Sequence, residues 1–271
     1  MGHSLHRTVV PDLGSAEQRG VHRNALLIPE ALPLLTLATG PGESVIRGNA
    51  VPADPDWQAD DFIDALTRKL IEKVANGEQL ESHCHRLALM ASLLGVQLGL
   101  SPSDMLSLRR GAYLHDIGKI GIPPAILLKR GPLDKREWRI MKKHPAIGEH
   151  ICRDLPSLRD VLPIIRSHHE RWDGTGYPDG LRGEEIPLLA RITQIADIYD
   201  ALTTERPYKC AFAPEKALEI IQEEGERGWR DPSLVQCIQN LFPVFKTLPP
   251  ENASSFSLQS LAEVVKQRKW S

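Results

Sequence analysis

The sequence predicts an all-α protein. Beyond residue 56, apolar residues recur at helical spacing, and proline or capping residues stand where most of these segments begin. No segment shows the convincing apolar–polar alternation of a half-buried strand. The chain has 271 residues, of which 41% are hydrophobic, so it is long enough to bury a real core.

We divide the chain into three parts. Residues 1–55 are rich in Gly and Pro, show weak periodicity and are expected to form an N-terminal extension or linker. Residues 56–250 should form the helical domain, in which the first apolar stripe covers residues 62–74. Residues 251–271 are expected to be a C-terminal tail with a short helix.

Capping residues and prolines indicate where the helices begin. Ser101 and Asp104 form a capping box around Pro102, and Asp134 followed by Glu137 marks another start. A further helical stretch is expected from Leu158 to Glu170. Later helices should open at Pro187, Pro214 and Asp231-Pro232. The glycine-rich segment between them, residues 171–186, is expected to be a functional loop.

Composition excludes several classes of protein. The formal net charge of −2 gives no electrostatic reason to expect duplex nucleic acid as a partner. The four cysteines are scattered without a CxxC pair, which is typical of reduced residues in a cytoplasmic protein. The apolar run at 25–38 is broken by two prolines and a glutamate, so we expect neither a membrane span nor a signal peptide.

Histidines and aspartates that can bind metal ions are concentrated in the helical part. Imidazole and carboxylate groups are ligands of Fe, Mn and Zn. Taken together they predict a metal centre, because a buried group of this kind would be destabilised without cations. The candidates are His115, Asp116, His144, His168, His169 and Asp197, with Glu81 and His85 upstream.

Each candidate alone has an ordinary structural explanation. Neighbouring residues on a helix point about 100° apart, so His115 and Asp116 can share a metal only at a helix end or bend, which Gly118 would supply. A lone His144 before proline is usually a turn residue or helix end. Asp197, inside an apolar helix, needs a strong partner. That partner is a metal ion or, alternatively, Arg191 or Lys119.

Glu81 and His85 lie four residues apart and therefore share a helix face. Such a pair is often only a solvated ion pair. His83 cannot share that face, so we expect His85 to be the metal ligand and His83 to be exposed.

The order of these residues resembles the HD-GYP family of bacterial phosphodiesterases. The resemblance runs from about Phe62 to Phe242, and it is carried by the motifs HDIGK at 115–119, HP at 144–145 and HHERWDGTGYP at 168–178. It implies an HD-domain helical bundle extended by the GYP loop and C-terminal helices. It also implies hydrolysis of cyclic di-GMP to pGpG, and in some members on to GMP, through a metal-bridging hydroxide.

The resemblance assigns roles to the candidate ligands. Asp116 would bridge two metal ions, and the histidines with Asp197 would complete a two-metal site. Glu81, one turn before His85, matches the glutamate of members with a third ion. Iron or manganese would occupy these sites. Lys119 would lie near the hydroxide or phosphate as a catalytic residue, although it could equally be a surface lysine at a helix end.

The resemblance also assigns substrate-binding residues. Arg206 and Lys209 match the family's substrate-binding pair, in which a guanidinium fork suits a phosphate or a guanine edge. Asp200 could orient Lys209. Gly176, Tyr177 and Pro178 would shape one wall of the pocket, although Tyr177 could equally be a packing residue.

Several alternatives for function stay open. The substrate could be 3′,3′-cyclic GMP-AMP, or another nucleotide if the chain is a different HD phosphohydrolase. A module that binds cyclic di-GMP or docks a diguanylate cyclase without catalysis is a third alternative. Among partners, a GGDEF-type protein and a homodimer are both consistent with the resemblance.

Overall fold

This computed structural model describes residues 77–205 and 210–246, with side chains from Ser82 onward. The expected segments at 62–74 and 251–271, the substrate-binding pair Arg206 and Lys209, and the side chain of Glu81 lie outside the described residues. The division of the chain into three parts therefore stays a prediction.

The described part is helical, as predicted, and contains no strand. Three short 3-10 helices, Ile117–Gly121, Pro156–Leu158 and Gly183–Glu185, join the α-helices. The α-helices of these ranges are α1 (Gly77–Gln97), α2 (Pro102–Leu114), α3 (Pro124–Leu127), α4 (Lys135–Met141), α5 (His144–Cys152), α6 (Leu162–Ser167), α7 (Leu188–Thr203), α8 (Pro214–Glu226) and α9 (Pro232–Phe245). No helix in the described ranges combines the length and the apolar character that crossing a membrane requires.

Helix α1 forms the centre of the main core. All its residues from 87 to 94 are buried, which is expected of a helix surrounded by others rather than lying on a surface. It packs against α2, α7 and α9. Leu108, Ile195 and Leu241 are buried partners from these three helices.

A second, smaller apolar cluster lies around the His115-Asp116 pair. Leu114 and Ile117, which flank the pair in sequence, are both fully buried there. Cys152 of α5 and Ile165 of α6 belong to the same cluster. Apolar packing on both sides of the pair therefore fixes the backbone that carries its polar side chains.

The predicted helix starts are confirmed. The Ser101 hydroxyl accepts a hydrogen bond from the Asp104 amide at 3.1 Å. Asp134 and Glu137 form a reciprocal capping box at the start of α4. Helices α8 and α9 begin at Pro214 and Pro232, and α7 begins directly after Pro187.

The predicted helix from Leu158 to Glu170 is wrong in its extent. The chain instead forms the 3-10 helix Pro156–Leu158 and then α6, which covers only Leu162–Ser167. Pro163 is the reason, because proline lacks an amide hydrogen and is tolerated only in the first turn of a helix. Helix α6 accordingly begins one residue before it.

Gly118 lets the chain after Asp116 approach helix α5 closely. A Cβ atom at Gly118 would lie 1.8 Å from the carbonyl oxygen of His144 and 2.5 Å from the amide nitrogen of Gly148. Both are backbone atoms, so neither can turn away. The absence of a side chain at this position therefore allows the segment that carries Asp116 to pack directly against the start of α5, where His144 lies.

Gly118→Ala should destabilise the protein by forcing α5 away from the 3-10 helix that follows Asp116. The free energy of unfolding should fall by roughly 1–3 kcal/mol, the usual cost of overpacking. Chemical denaturation monitored by circular dichroism measures this change. Gly121→Ala is the matched control, since its Cβ would meet only the Ile147 side chain, nearest at 2.7 Å. An equal loss in both variants would contradict the backbone explanation.

Candidate metal centre

Three imidazoles are held by carbonyl groups at helix ends. The last four carbonyls of an α-helix have no partner within the helix. The Nδ1 atoms of His115, His144 and His168 each lie 2.9 Å from such a carbonyl, three residues earlier in the chain. These carbonyls belong to Ala112 in α2, Met141 in α4 and Ile165 in α6. With Nδ1–H donating, each Nε2 atom carries a lone pair that can bind a metal ion.

The Asp116 carboxylate lies between these imidazoles. One of its oxygens faces His144 and His168, and the other faces His115. Its Oδ1 atom is 3.2 Å from His144 Nε2 and 3.8 Å from His168 Nε2. Its Oδ2 atom is 3.3 Å from His115 Nε2. Asp116, His144, His168 and His169 form one group of ligand atoms that all lie within 4.8 Å of one another. Four of the expected ligands are thus brought together in one group.

Buried polar atoms in this centre fit a bound cation. His115 Nε2 and Asp116 Oδ1 are buried, and neither makes a hydrogen bond. Imidazole and carboxylate are also the donor types that divalent transition metals take. A cation would satisfy both atoms, which otherwise carry a desolvation cost.

The electrostatics of the centre favour His168 and Asp116 in the forms that bind metal ions. Burial, together with the neighbouring His169, holds the pKa of His168 well below its usual value, so this imidazole is neutral near pH 7. Burial alone would raise the pKa of Asp116, but Lys119 and His115 outweigh it and lower this pKa well below the usual range. A neutral imidazole and an ionised carboxylate are the forms that bind metal ions.

A second group of ligand atoms consists of His83, His115 and Asp197. His83 Nε2 lies 3.5 Å from Asp197 Oδ1, and the side chain of His83 is only 12% exposed. The expectation that His83 is exposed is therefore wrong. Residue spacing could not reveal this contact, because Asp197 lies on another helix, 114 residues further along the chain.

His85 belongs to neither of the two groups among the described residues. Its Nδ1 atom lies 2.8 Å from the hydroxyl of Tyr113, and the two rings meet edge to face. Glu81, one helical turn before His85, lies in α1 with its side chain outside the described residues. The metal-binding roles of Glu81 and His85 therefore stay predictions, and the geometry favours His83.

Asp200 is buried beside the second group. Its Oδ2 atom is 2.6 Å from His83 Nδ1, and its Oδ1 atom accepts a 2.5 Å bond from Arg86 Nε. Burial alone would raise the pKa of Asp200, but the hydrogen bonds from His83 and Arg86 lower it. The predicted partner Lys209 lies outside the described residues, so the structure supplies contacts for Asp200 that the sequence did not reveal.

Lys119 points at the Asp116 carboxylate, and its catalytic role stays a prediction. Its Nζ atom donates to Asp116 Oδ2 at 2.5 Å. The side chain is 31% exposed, which places its charge at the border between the buried centre and solvent. The positive charge of Lys119 therefore balances the negative charge of Asp116. Because the lysine is partly exposed, a ligand bound beside Asp116 could contact it.

The loop that contains Gly176, Tyr177 and Pro178 lies against the first group. The Tyr177 ring stacks on the His169 ring with centroids 4.8 Å apart, and the Tyr177–Pro178 peptide is cis. A Cβ atom at Gly176 would lie 2.2 Å from the Arg171 amide nitrogen, so only glycine fits there. Tyr177 therefore covers a metal-ligand candidate, and its role as a wall of a substrate pocket stays a prediction.

Glu170 holds this loop in place and was missed as a functional residue. It is fully buried, and its Oε1 atom accepts hydrogen bonds from the amides of Asp179 at 2.6 Å and Gly180 at 3.0 Å. Its position directly after His168-His169 was a signal, since a carboxylate inside a buried motif needs donors. Gln194 adds a 3.0 Å bond from its Nε2 atom to the His168 carbonyl.

The start of the loop is tied to the turn between α8 and α9. The Trp172 amide donates to the Trp229 carbonyl at 3.1 Å. The Arg171 guanidinium lies 4.1 Å from the centre of the Trp229 ring. Arg191 of α7 lies over Trp172 and pairs with Asp231 at the start of α9. These contacts join the metal-ligand segment to the C-terminal helices.

Comparisons with known proteins agree with this fold. The family model described as "HD domain" matches residues 67–234, which is more than half of the chain. A 3′3′-cGAMP-specific phosphodiesterase of Vibrio cholerae is 39% identical over 75% of this chain and 44% of its own length. A cyclic di-GMP phosphodiesterase response regulator of Xanthomonas campestris is 43% identical over 56% of this chain and 41% of its own length.

A second Vibrio cholerae relative, a cyclic di-GMP phosphodiesterase, is 45% identical over 51% of this chain and 29% of its own length. The chain thus spans less than half the length of these relatives. A helical bundle that gathers histidines around a His-Asp pair defines an HD-domain protein. With its GYP loop in place beside that centre, the chain belongs to the HD-GYP family.

His83→Ala should lower the metal content by about one ion per chain, because it removes the imidazole whose Nε2 atom faces Asp197. His85→Ala is the matched control from the same helix and should keep the metal content of the unaltered protein. Elemental analysis by emission spectroscopy, after anaerobic purification, measures both. The reverse pattern would restore His85 as the ligand.

Proposed function

We propose that the protein is a metal-dependent phosphodiesterase that hydrolyses cyclic di-GMP to pGpG, and then on to GMP. The observation that carries this proposal is the Asp116 carboxylate, whose two oxygens face two different groups of ligand atoms. The residues on the two sides of this carboxylate would hold divalent ions, and a pair of such ions would supply the charge stabilisation used for displacement at phosphorus.

The residues of the two groups would hold the ions. Asp116, His144, His168 and His169 would bind one, and His83, His115 and Asp197 the other. Divalent ions bound there would lower the pKa of water and neutralise charge on the phosphate oxygens. The protein's own part is to keep His168 neutral, aim its Nε2 atom towards Asp116 and cover His169 with Tyr177.

Lys119 would stabilise charge that develops during the reaction. Its ammonium group already compensates Asp116 at 2.5 Å, and its partial exposure lets a phosphate approach it. A fixed donor of this kind is worth most where charge grows in the transition state. Arg206 and Lys209 stay proposed contacts to the substrate, carried by the resemblance alone.

Two ions are favoured over three. The residue one helical turn before His83 in α1 is Gln79, an amide, whereas Glu81 precedes His85. A third ion would need the Glu81 carboxylate, which is two residues out of step with His83. Imidazoles mixed with carboxylates are consistent with iron or manganese.

Two further aspects of the function follow from the family. The 39% identity to a 3′3′-cGAMP-specific enzyme over three quarters of this chain supports cyclic GMP-AMP as the second candidate substrate. The seven ligand candidates that the two groups bring together argue against a silent binding module. A cytoplasmic location, and a GGDEF-type protein or a second copy as partner, are proposals based on the resemblance and the unpaired cysteines.

Incubation of the metal-loaded protein with cyclic di-GMP, and separately with cyclic GMP-AMP, tests the proposal. Chromatography should show pGpG and then GMP from cyclic di-GMP, with slower loss of cyclic GMP-AMP. Protein stripped of metal is the control and should be inactive with both. Binding without turnover of either dinucleotide, with metal present, would contradict the enzymatic function.

Lys119→Ala should lower kcat by about 10²- to 10³-fold, the usual effect of losing one charge-stabilising donor. The metal content should stay that of the unaltered protein, because Lys119 contacts Asp116 but offers no ligand to the ions. Lys216→Ala, at an exposed lysine paired with Glu219, is the control and should be fully active. An unchanged kcat for Lys119→Ala would remove it from the catalytic residues.

Asp116→Ala should abolish turnover and lower the metal content of both groups, since this carboxylate faces each of them. Product formation and elemental analysis on the same preparation check the two effects together. Full activity in this variant would contradict the mechanism.

A further inference from the structure

Four imidazoles of the two groups of ligand atoms have described Nδ1 partners. Of these four, His83 is held differently from the rest. His115, His144 and His168 bond through Nδ1 to carbonyls at helix ends. His83 lies in the interior of α1, where the carbonyls are used by the helix itself. Its Nδ1 atom instead meets the carboxylate of Asp200, which comes from α7.

We infer that Asp200 is a positioning residue that controls only one of the two proposed metal sites, through His83. With Nδ1–H donating to Asp200 at 2.6 Å, His83 is fixed in the tautomer whose Nε2 lone pair faces Asp197. This inference rests on the proposed metal-dependent function, because it assigns a role within that centre.

The surroundings of Asp200 support a fixed orienting role. Its side chain is 2% exposed, and Arg86 binds it through two nitrogens, at 2.5 and 3.2 Å. Asp200 also shares a face of α7 with Asp197, three residues earlier. One helix thus supplies both the candidate ligand, Asp197, and the group that aims the imidazole beside it.

The other group of ligands is independent of Asp200. His144 and His168 take their orientation from Met141 and Ile165, and Asp116 takes its charge balance from Lys119. Loss of Asp200 should therefore weaken one site and leave the other intact. A residue needed only for folding would instead affect both sites or neither.

Calorimetric titration of metal-free protein with Mn²⁺ tests this asymmetry. The unaltered protein should bind two ions. Asp200→Asn should bind one of them about 10- to 100-fold more weakly, the usual effect of losing an outer carboxylate partner, with the other affinity unchanged. The asparagine amide can donate to Nδ1, which would put the proton on Nε2 and block the metal-binding atom.

A double variant keeps the test valid if the buried charge of Arg86 prevents Asp200→Asn from folding. Arg86→Leu with Asp200→Ala removes both partners, which costs far less than leaving one charge unpaired. It should show the same loss at one site. The control, Lys216→Leu with Glu219→Ala, removes an exposed ion pair within α8 and should keep both Mn²⁺ affinities.

Each result has a defined meaning. Two unchanged affinities in folded variants without Asp200 would overturn this inference and leave the proposed function standing. Equal weakening of both sites would also overturn it. An unaltered protein that binds no Mn²⁺ would overturn the proposed function and this inference together.

Discussion

One interaction, used three times, holds the centre together: an imidazole Nδ1–H donates to a carbonyl that the end of a helix leaves unpaired. A helix must end somewhere, and its last carbonyls need partners. In this fold three helix ends face the same point, so the imidazoles that complete these helices are also candidate metal ligands. The arrangement explains why His115 and His168 directly follow the last residues of α2 and α6. The same hydrogen bonds therefore stabilise the helix ends and orient the imidazoles.

Much of this could be predicted, because the signals are local. Helix starts follow from residues such as Asp134 and Pro214, and a His-Asp pair beside an apolar run indicates a buried helix end. The sequence near His83 and His85 could not show which of the two faces the centre. The answer depends on Asp197 and Asp200, which the fold brings to α1 from more than 110 residues away. Proline also limited α6 more strongly than its apolar pattern suggested.

Glu170 illustrates a second limit of reading a sequence. Its neighbours in the motif are ligand candidates, yet its own carboxylate faces the other way and binds the backbone of the loop. A motif can thus contain residues for two tasks, with adjacent side chains divided between the metal centre and its wall. Only the backbone path of residues 176–180 reveals which residue has which task.

The hydrogen bond from the Trp172 amide to the Trp229 carbonyl links two segments that are far apart in the sequence. The turn between α8 and α9 carries none of the candidate ligands, but it binds the loop segment that follows His168-His169. A partner or a substitution that shifts this turn would change the position of Tyr177 over His169 without touching a metal ligand. The C-terminal helices therefore provide a mechanical connection through which a distant event could adjust access to the centre.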